Sequence, residues 1–214
     1  MPQKKILVWA DDLRKKDILS RNIPSEYAFE FLNDYSILDE ISPSSFYFIL
    51  DEAMVSSFPY EKIDNDAVVF VNEVCETLSD LPARKGIIRI NAWPGFLRYP
   101  LIELSAREDD KKDAEKLLTD LGWSYRWVAD VPGLVTPRVI AMIVNEACFA
   151  LNEKVSSPAE IDIALKLGTS YPLGPFEWSK QVGSDRIIQL LTSLSKDNER
   201  YMPAPFIENI LQQS

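Results

Sequence analysis

The chain has 214 residues, 46% of them hydrophobic, enough for a real core in one large or two small domains. Its net charge of −10 is lopsided: residues 1–130 carry 16 basic and 24 acidic side chains (−8), whereas residues 131–214 carry 7 and 9 (−2). An acidic chain without a basic patch argues against nucleic acid or an anionic membrane as partner, and the lack of any histidine argues against a transition-metal site.

Residues 4–10 (KKILVWA) form a short apolar run with β-branched and aromatic members, the pattern of a buried parallel strand. That run is also too short for a signal peptide or a membrane span, so a soluble protein of a reducing compartment, the cytoplasm, is expected. A dinucleotide-binding domain would continue with G-x-G-x-x-G, because the pyrophosphate needs close backbone approach and a helix N-terminus. Here the chain continues Asp11-Asp12-Leu13-Arg14-Lys15-Lys16, and the first glycine is Gly86. Two carboxylates stand where a dianionic ligand would have to sit.

Residues 13–45 are mixed, with Ile23-Pro24 breaking a first helix and residues 26–32 (EYAFEFL) open to reading as a strand or one amphipathic turn. Further strands are predicted at 46–50 (FYFIL), 67–71 (AVVFV), 86–91 (GIIRIN) and 124–129 (SYRWVA). A helix is expected from about Asp109 to Leu121, stopped by Gly122, with the charge run Arg107 to Asp113 as its solvated face. Cys75 and Cys148 lie far apart without a C-x-x-C spacing; a buried free thiol is favoured for Cys148 over a disulfide.

From residue 131 the pattern turns helical. Thr136 as N-cap and Pro137 at the first helical position open one helix, whose apolar face is read as Val139, Met142, Ile143, Ala147 and Ala150. The next helix has a capping box, with Ser157 as N-cap, Pro158 behind it and Glu160 completing the box, and Gly168 is expected to end it. The expected architecture is α/β: a reduced Rossmann-like parallel sheet domain over residues 1–129, then an all-α helical dimerisation domain over residues 130–214.

These C-terminal residues also carry a resemblance. Asp130, Pro132-Gly133, Val135, Arg138, Glu146-Ala147, Ser157-Pro158, Ile161-Asp162, Lys166-Leu167-Gly168, Tyr171-Pro172 and Gly174-Pro175-Phe176-Glu177 follow, in order, the pattern of the 3-hydroxyacyl-CoA dehydrogenase family. The tail Tyr201-Met202-Pro203-Ala204-Pro205 resembles that family as well. The resemblance implies a Rossmann domain that binds NAD, followed by a helical domain that pairs with its twin. It identifies ancestry and fold, and activity has to be argued from the site.

Within the N-terminal half the resemblance thins. Leu50-Asp51-Glu52-Ala53 resembles the end of a family strand that usually lies about twice as far along the chain, which implies loss of a βα unit and of the helical hairpin holding coenzyme A. Residues 91–104 lie without gaps over the family's catalytic segment, which places Asn91 at the catalytic histidine and Glu103 at the glutamate that orients it. Asn72 matches a family asparagine, while Val74 falls at a substrate-contacting serine and Pro137 at a substrate-contacting asparagine.

Dehydrogenation needs a side chain that takes the 3-hydroxyl proton as hydride leaves, and asparagine has no pKa near neutrality. Glu103 reads either as the remnant of a dyad or as a structural carboxylate. The candidate site residues are therefore Glu103, Asn91 and Asn72, with no residue expected to bind a cofactor or a metal. The expected function is a non-catalytic family member acting as a homodimer or as partner of an active relative. The alternatives are a residual 3-hydroxyacyl-CoA oxidoreductase of fatty-acid metabolism and a small-ligand module using the cleft beneath Trp93 and Phe96.

Overall fold

A computed structural model of the chain describes residues 3–39 and 44–213, apart from the side chain of Gln213. It divides into two compact units, Met1–Leu134 and Val135–Ser214. The first is an α/β sheet unit and the second is all helical.

In chain order the sheet unit runs β1 (Lys4–Trp9), α1 (Asp12–Leu19), β2 (Tyr27–Leu32), β3 (Phe46–Ile49), α2 (Glu52–Val55), β4 (Val68–Val71), β5 (Ile87–Ile90), β6 (Leu101–Ser105), α3 (Lys111–Asp120) and β7 (Ser124–Trp127). Among the described residues these strands make one sheet in the order β2-β1-β3-β4-β5-β6-β7. All neighbours pair in parallel except β5 with β6. The order reverses between β1 and β3, the switch point of a doubly wound sheet. Only β2 lies outside β1, one strand fewer than the 3-2-1-4-5-6 order of a full dinucleotide fold.

Alternate side chains of the buried strands serve two cores. Ile6, Val8, Phe48, Phe70, Ile88 and Ile90 face the side covered by Ile18 of α1 and by Ala114, Leu117 and Leu118 of α3. On the other side Leu7, Trp9, Tyr47, Ile49, Val69 and Val71 are covered mostly by loop residues, among them Phe58, Tyr60, Ile63 and Leu78. Aromatic edges do the packing there, with Trp9 and Phe58 at 5.1 Å and Phe58 and Tyr60 at 5.0 Å, both T-shaped.

Several local readings need correction. Residues 27–32 are a strand, settled by six parallel pairings with β1. The first helix ends at Leu19, ahead of Ile23-Pro24, where Ser20 Oγ donates to the Asp17 carbonyl. Helix α3 begins at Lys111 after a 3₁₀ turn over Glu108–Asp110. The charge run there is not wholly a solvated face: the Asp110 side chain is 7% exposed and accepts from the Gly86 N–H at 2.8 Å. Gly86 has φ +75°, and a Cβ on it would fall 2.4 Å from the Ala67 carbonyl oxygen.

The helical unit holds α4 (Thr136–Asn152), α5 (Pro158–Thr169), α6 (Pro175–Val182), α7 (Ser184–Ser195) and α8 (Ile207–Gln213). In α4 the N-cap is Val135, whose carbonyl accepts from the Val139 N–H, so Thr136 is already the first helical residue. Positive φ at Gly133 and Leu134 delivers the chain into the helix one residue early. The buried face of α4 is Ile140, Ala141, Val144, Ala147 and Cys148, while Val139 is exposed and Met142 and Ile143 are half-buried. The expected stripe was rotated by about one residue, because α4 is apolar nearly all round and periodicity alone cannot choose its face.

The capping box at Ser157 and Glu160 forms as read. Gly168, by contrast, lies inside α5, and the left-handed cap is Ser170 at φ 58°. Thr169 Oγ1 holds the Leu165 carbonyl at 2.6 Å and extends the helix, and the Tyr171-Pro172 pair then stops it. The Gly/Pro corner is closed by Asp162, which accepts from the Phe176 N–H at 2.8 Å, and by Glu177, which accepts from the Gly174 N–H and pairs with Lys166. Both cysteines are buried thiols, one in each unit. No described helix is long and apolar enough to cross a membrane.

Candidate functional site

Three neighbouring strands, β4, β5 and β6, carry the predicted site residues. Asn72 follows β4, Asn91 follows β5, and Glu103 lies in β6 opposite Asn91, its carbonyl accepting from the Asn91 N–H at 3.1 Å. This is the one antiparallel pairing of the sheet, and it makes residues 12 apart in sequence into cross-strand neighbours. Asn72 is fully buried. Its Nδ2 donates to the Leu50 carbonyl at 3.2 Å and to Glu52 Oε1 at 3.1 Å, while its Oδ1 accepts from the Ala92 N–H at 3.0 Å. The Asn91 side chain, 4% exposed, turns back to accept from the Trp93 N–H at 3.4 Å. The three residues thus form one corner, held by amide and main-chain hydrogen bonds.

Val74 is buried, and its carbonyl accepts from the Gly133 N–H at 2.7 Å. Pro137 is buried in the first turn of α4. Neither offers a side-chain donor. Trp93 and Phe96 are buried as well, and the segment between them turns tightly, with the Phe96 N–H on the Trp93 carbonyl and Gly95 at φ +87°. Packing, rather than an open pocket wall, is what these aromatic rings provide.

Two arginines that sequence reasoning missed organise the same strand edge. Arg89, in β5, is fully buried. Its Nε donates to the Glu73 carbonyl at 2.9 Å, its Nη2 to the Val74 carbonyl at 3.3 Å and its Nη1 to Asp130 Oδ1 at 2.5 Å. Asp130 in turn accepts from the Leu78 N–H through both oxygens. A lone arginine inside the apolar GIIRIN run was the available signal. Arg14, 1% exposed, sits in the first turn of α1 among charges that all look alike in sequence.

Helix α1 and the turn after it are fastened to residues 92–99 by polar side chains three and four residues apart. Arg14 Nε donates to the Ala92 carbonyl at 2.8 Å, Asp17 accepts from the Gly95 N–H at 2.8 Å, and Arg21 donates to the Leu97 and Tyr99 carbonyls. Burial pushes the Asp17 carboxyl above the ordinary carboxylate range, opposed by the Gly95 N–H and by Arg98 and Arg14. Glu73 is also raised by burial, against the N–H groups of Glu76 and Cys75 that it accepts. Among the described residues no group of three or more carboxylates and thiols could hold a metal ion. A groove of about 440 Å³ lined by Lys4, Tyr27, Phe46, Val68 and Asp120 lies at the opposite, N-terminal strand edge.

A doubly wound sheet unit followed by a helical unit is a two-domain architecture of the Rossmann type. Residues 133–214 match the family model of the 3-hydroxyacyl-CoA dehydrogenase C-terminal domain. Those residues carry the C-terminal domain of the 3-hydroxyacyl-CoA dehydrogenase family. The chain is 32% identical over 170 residues to 3-hydroxyadipyl-CoA dehydrogenase of Escherichia coli K12, which covers 73% of this chain and 35% of that relative. Such a match is longer than the helical unit, so the likeness runs into the sheet unit. To 3-hydroxybutyryl-CoA dehydrogenase of Bradyrhizobium diazoefficiens it is 30% identical over 133 residues, 60% of this chain and 45% of the relative. The match thus spans between a third and a half of the length of these curated relatives.

The fold is shared with FadB2 of M. tuberculosis (TM-score 0.74, 16% identity, 100% of this chain and 95% of that one). It is shared equally with (S)-3-hydroxybutyryl-CoA dehydrogenase PaaH1 of Ralstonia eutropha (TM-score 0.73, 15% identity, 99% and 94%).

Proposed function

We propose that this chain is a non-catalytic 3-hydroxyacyl-CoA dehydrogenase-like protein that acts as a dimeric structural or regulatory partner in a reducing compartment, the cytoplasm. One observation carries the reading. The position that the resemblance aligns with the catalytic base is Asn91, cross-strand from Glu103, and its amide oxygen is spent on the Trp93 N–H. An amide there can orient a hydroxyl but cannot take its proton at neutral pH, and that step contributes about 10²–10⁴ in rate.

The helical unit supports self-pairing. Helix α5 presents Ile163 and Leu167, 53% and 82% exposed, one turn apart, and Tyr171 follows them. An isologous contact through this face brings two copies together with little charge repulsion. An active relative with the same face is the other partner that fits.

The test is an absorbance assay at 340 nm with NADH and acetoacetyl-CoA. No turnover is expected from the wild type or from Asn91→His, since Val74 and Pro137 still lack donors; turnover by the wild type sinks the non-catalytic reading. Light scattering at micromolar concentration tests the pairing. A mass near twice 24.4 kDa is expected, and a mass of one chain rules out the homodimer.

A further inference from the structure

The polar groups at the first β–α turn gather around one guanidinium. Asp11 caps α1, its Oδ1 accepting from the Arg14 N–H at 2.9 Å, while its Oδ2 meets Arg14 Nη1 at 2.6 Å. Arg14 Nη2 lies 3.3 Å from Glu52 Oε1, within ion-pair range though outside hydrogen-bond geometry, and Nε is on the Ala92 carbonyl. Asp11 follows β1, Glu52 opens α2 behind β3, and Ala92 follows β5. One guanidinium therefore touches three strand ends around the point where the strand order reverses.

A dinucleotide fold places the pyrophosphate at that point, on N–H groups of the helix's first turn and against a backbone thinned by glycine. The residues present do not fit a pyrophosphate. The Arg14 N–H is taken by the chain's own carboxylate, the turn Ala10-Asp11-Asp12 carries a side chain at each position, and Asp11 and Glu52 supply the wrong charge. Trp9, just before the turn, is fully buried against Phe58 and Tyr47, with its indole N–H on the Asp34 carbonyl at 2.8 Å. Aromatic side chains pack the flank of the switch point.

We propose that Arg14 is a built-in plug: its guanidinium occupies the crevice at the switch point as a permanent internal substitute for the dinucleotide, ties the ends of β1, β3 and β5 together and closes that crevice to NAD(H). The plug adds to the non-catalytic reading but stands on different residues, because the loss of a base at Asn91 does not require it. A buried arginine fits the role better than lysine, since its fork donates to Asp11 and Ala92 in fixed directions while its charge still faces Glu52.

The experiment has two arms on the full chain. Wild-type protein titrated calorimetrically with NADH to millimolar concentration should give no saturable heat. Saturable heat overturns the plug even when no turnover accompanies it, and this separates its failure from that of the non-catalytic reading. In the second arm Arg14→Met, which keeps length but leaves Asp11 and Glu52 without their cation, should lower Tm by about 6–20 °C. Adding Glu52→Gln should recover part of that loss, so that the double variant is more stable than the sum of its singles. Additive singles overturn the plug. Should Arg14→Met not fold, Asp11→Asn and Glu52→Gln, each of which keeps the arginine, serve in its place. Lowered Tm in both supports the plug, and an unchanged Tm in either overturns it.

Discussion

In the sheet unit the strand ends are joined by buried cations. Arg14 meets groups behind β1, β3 and β5, and Arg89 links the segment after β4 to Asp130, 41 residues further on. In the helical unit the comparable joints are short. Ser157 and Glu160 close their own helix turn, Asp162 and Glu177 close the corner between α5 and α6, and the long ties are two amides, Asn145 on Met202 and Ala204 and Asn152 on the Pro205 carbonyl. Parallel strands end side by side with their polar ends aligned, and here buried guanidinium groups bind those ends together. Helix ends are satisfied by neighbours within one turn. The long ties of the sheet unit should therefore fail together, and the short ones of the helical unit one at a time.

Each unit carries one buried thiol, Cys75 in the sheet unit and Cys148 in the helical unit, so thiol labelling reports the opening of each separately. Burial pushes both thiols up, Cys148 to about 12, so native labelling at pH 8 should be slow at both.

The largest effect is expected from Arg89→Met. It strands Asp130 and the carbonyls of Glu73, Val74 and Val131, and should cost about 3–5 kcal/mol in urea unfolding. Labelling of Cys75 should accelerate by orders of magnitude while Cys148 stays near its wild-type rate; equal acceleration would erase the contrast between the units.

Gly174→Ala comes next. Its new Cβ would fall 2.4 Å from the Asp162 Cα, a backbone atom that cannot rotate away. A loss of about 1–3 kcal/mol is expected, read as faster labelling of Cys148 alone. Wild-type stability in this variant would mean the corner between α5 and α6 is looser than its contacts imply.

Ser157→Ala should cost about 1 kcal/mol, the ordinary worth of an N-cap hydroxyl, without reaching either cysteine. A loss of several kcal/mol would show that α5 is tied to more than its own first turn.

The smallest effect is one of pH. Hydrogen bonds from Ser156 and Ser157 hold the Glu160 carboxyl down at about 2, below its ordinary 4.5. A depressed pKa contributes stability that is full above 4.5 and is lost as the pH falls through about 2. The Tm difference between wild type and Glu160→Gln should therefore be open at pH 6 and close toward pH 2. A difference that persists at pH 2 would contradict the capping box as its source.

Much of this molecule was legible before folding, and the misses share a cause. The strands at 4–9, 46–49, 68–71 and 87–90 show as continuous apolar runs because both their faces are buried. The capping box and the proline starts show because they are complete within four residues. The face of α4 was misjudged because a helix apolar on most sides has no preferred stripe until its neighbours choose one. Asn72, Asn91 and Glu103 were named from resemblance, and the placing of Glu103 opposite Asn91 depends on an antiparallel pairing that nothing in LIELS declares.

The amino-acid sequence by itself determined the two-part plan, the capped start of α5 and the absence of an ionisable group at Asn91, since each is a property of residue type or of short-range geometry. Tertiary structure alone decided which charges are buried and whom they meet. Arg14 and Lys15 are adjacent and equally basic in sequence. Only the seating of α1 across the sheet puts Arg14 on Ala92, 78 residues away, and leaves Lys15 at the surface over Phe31. A charge carries no record of its partner until the chain has closed around it.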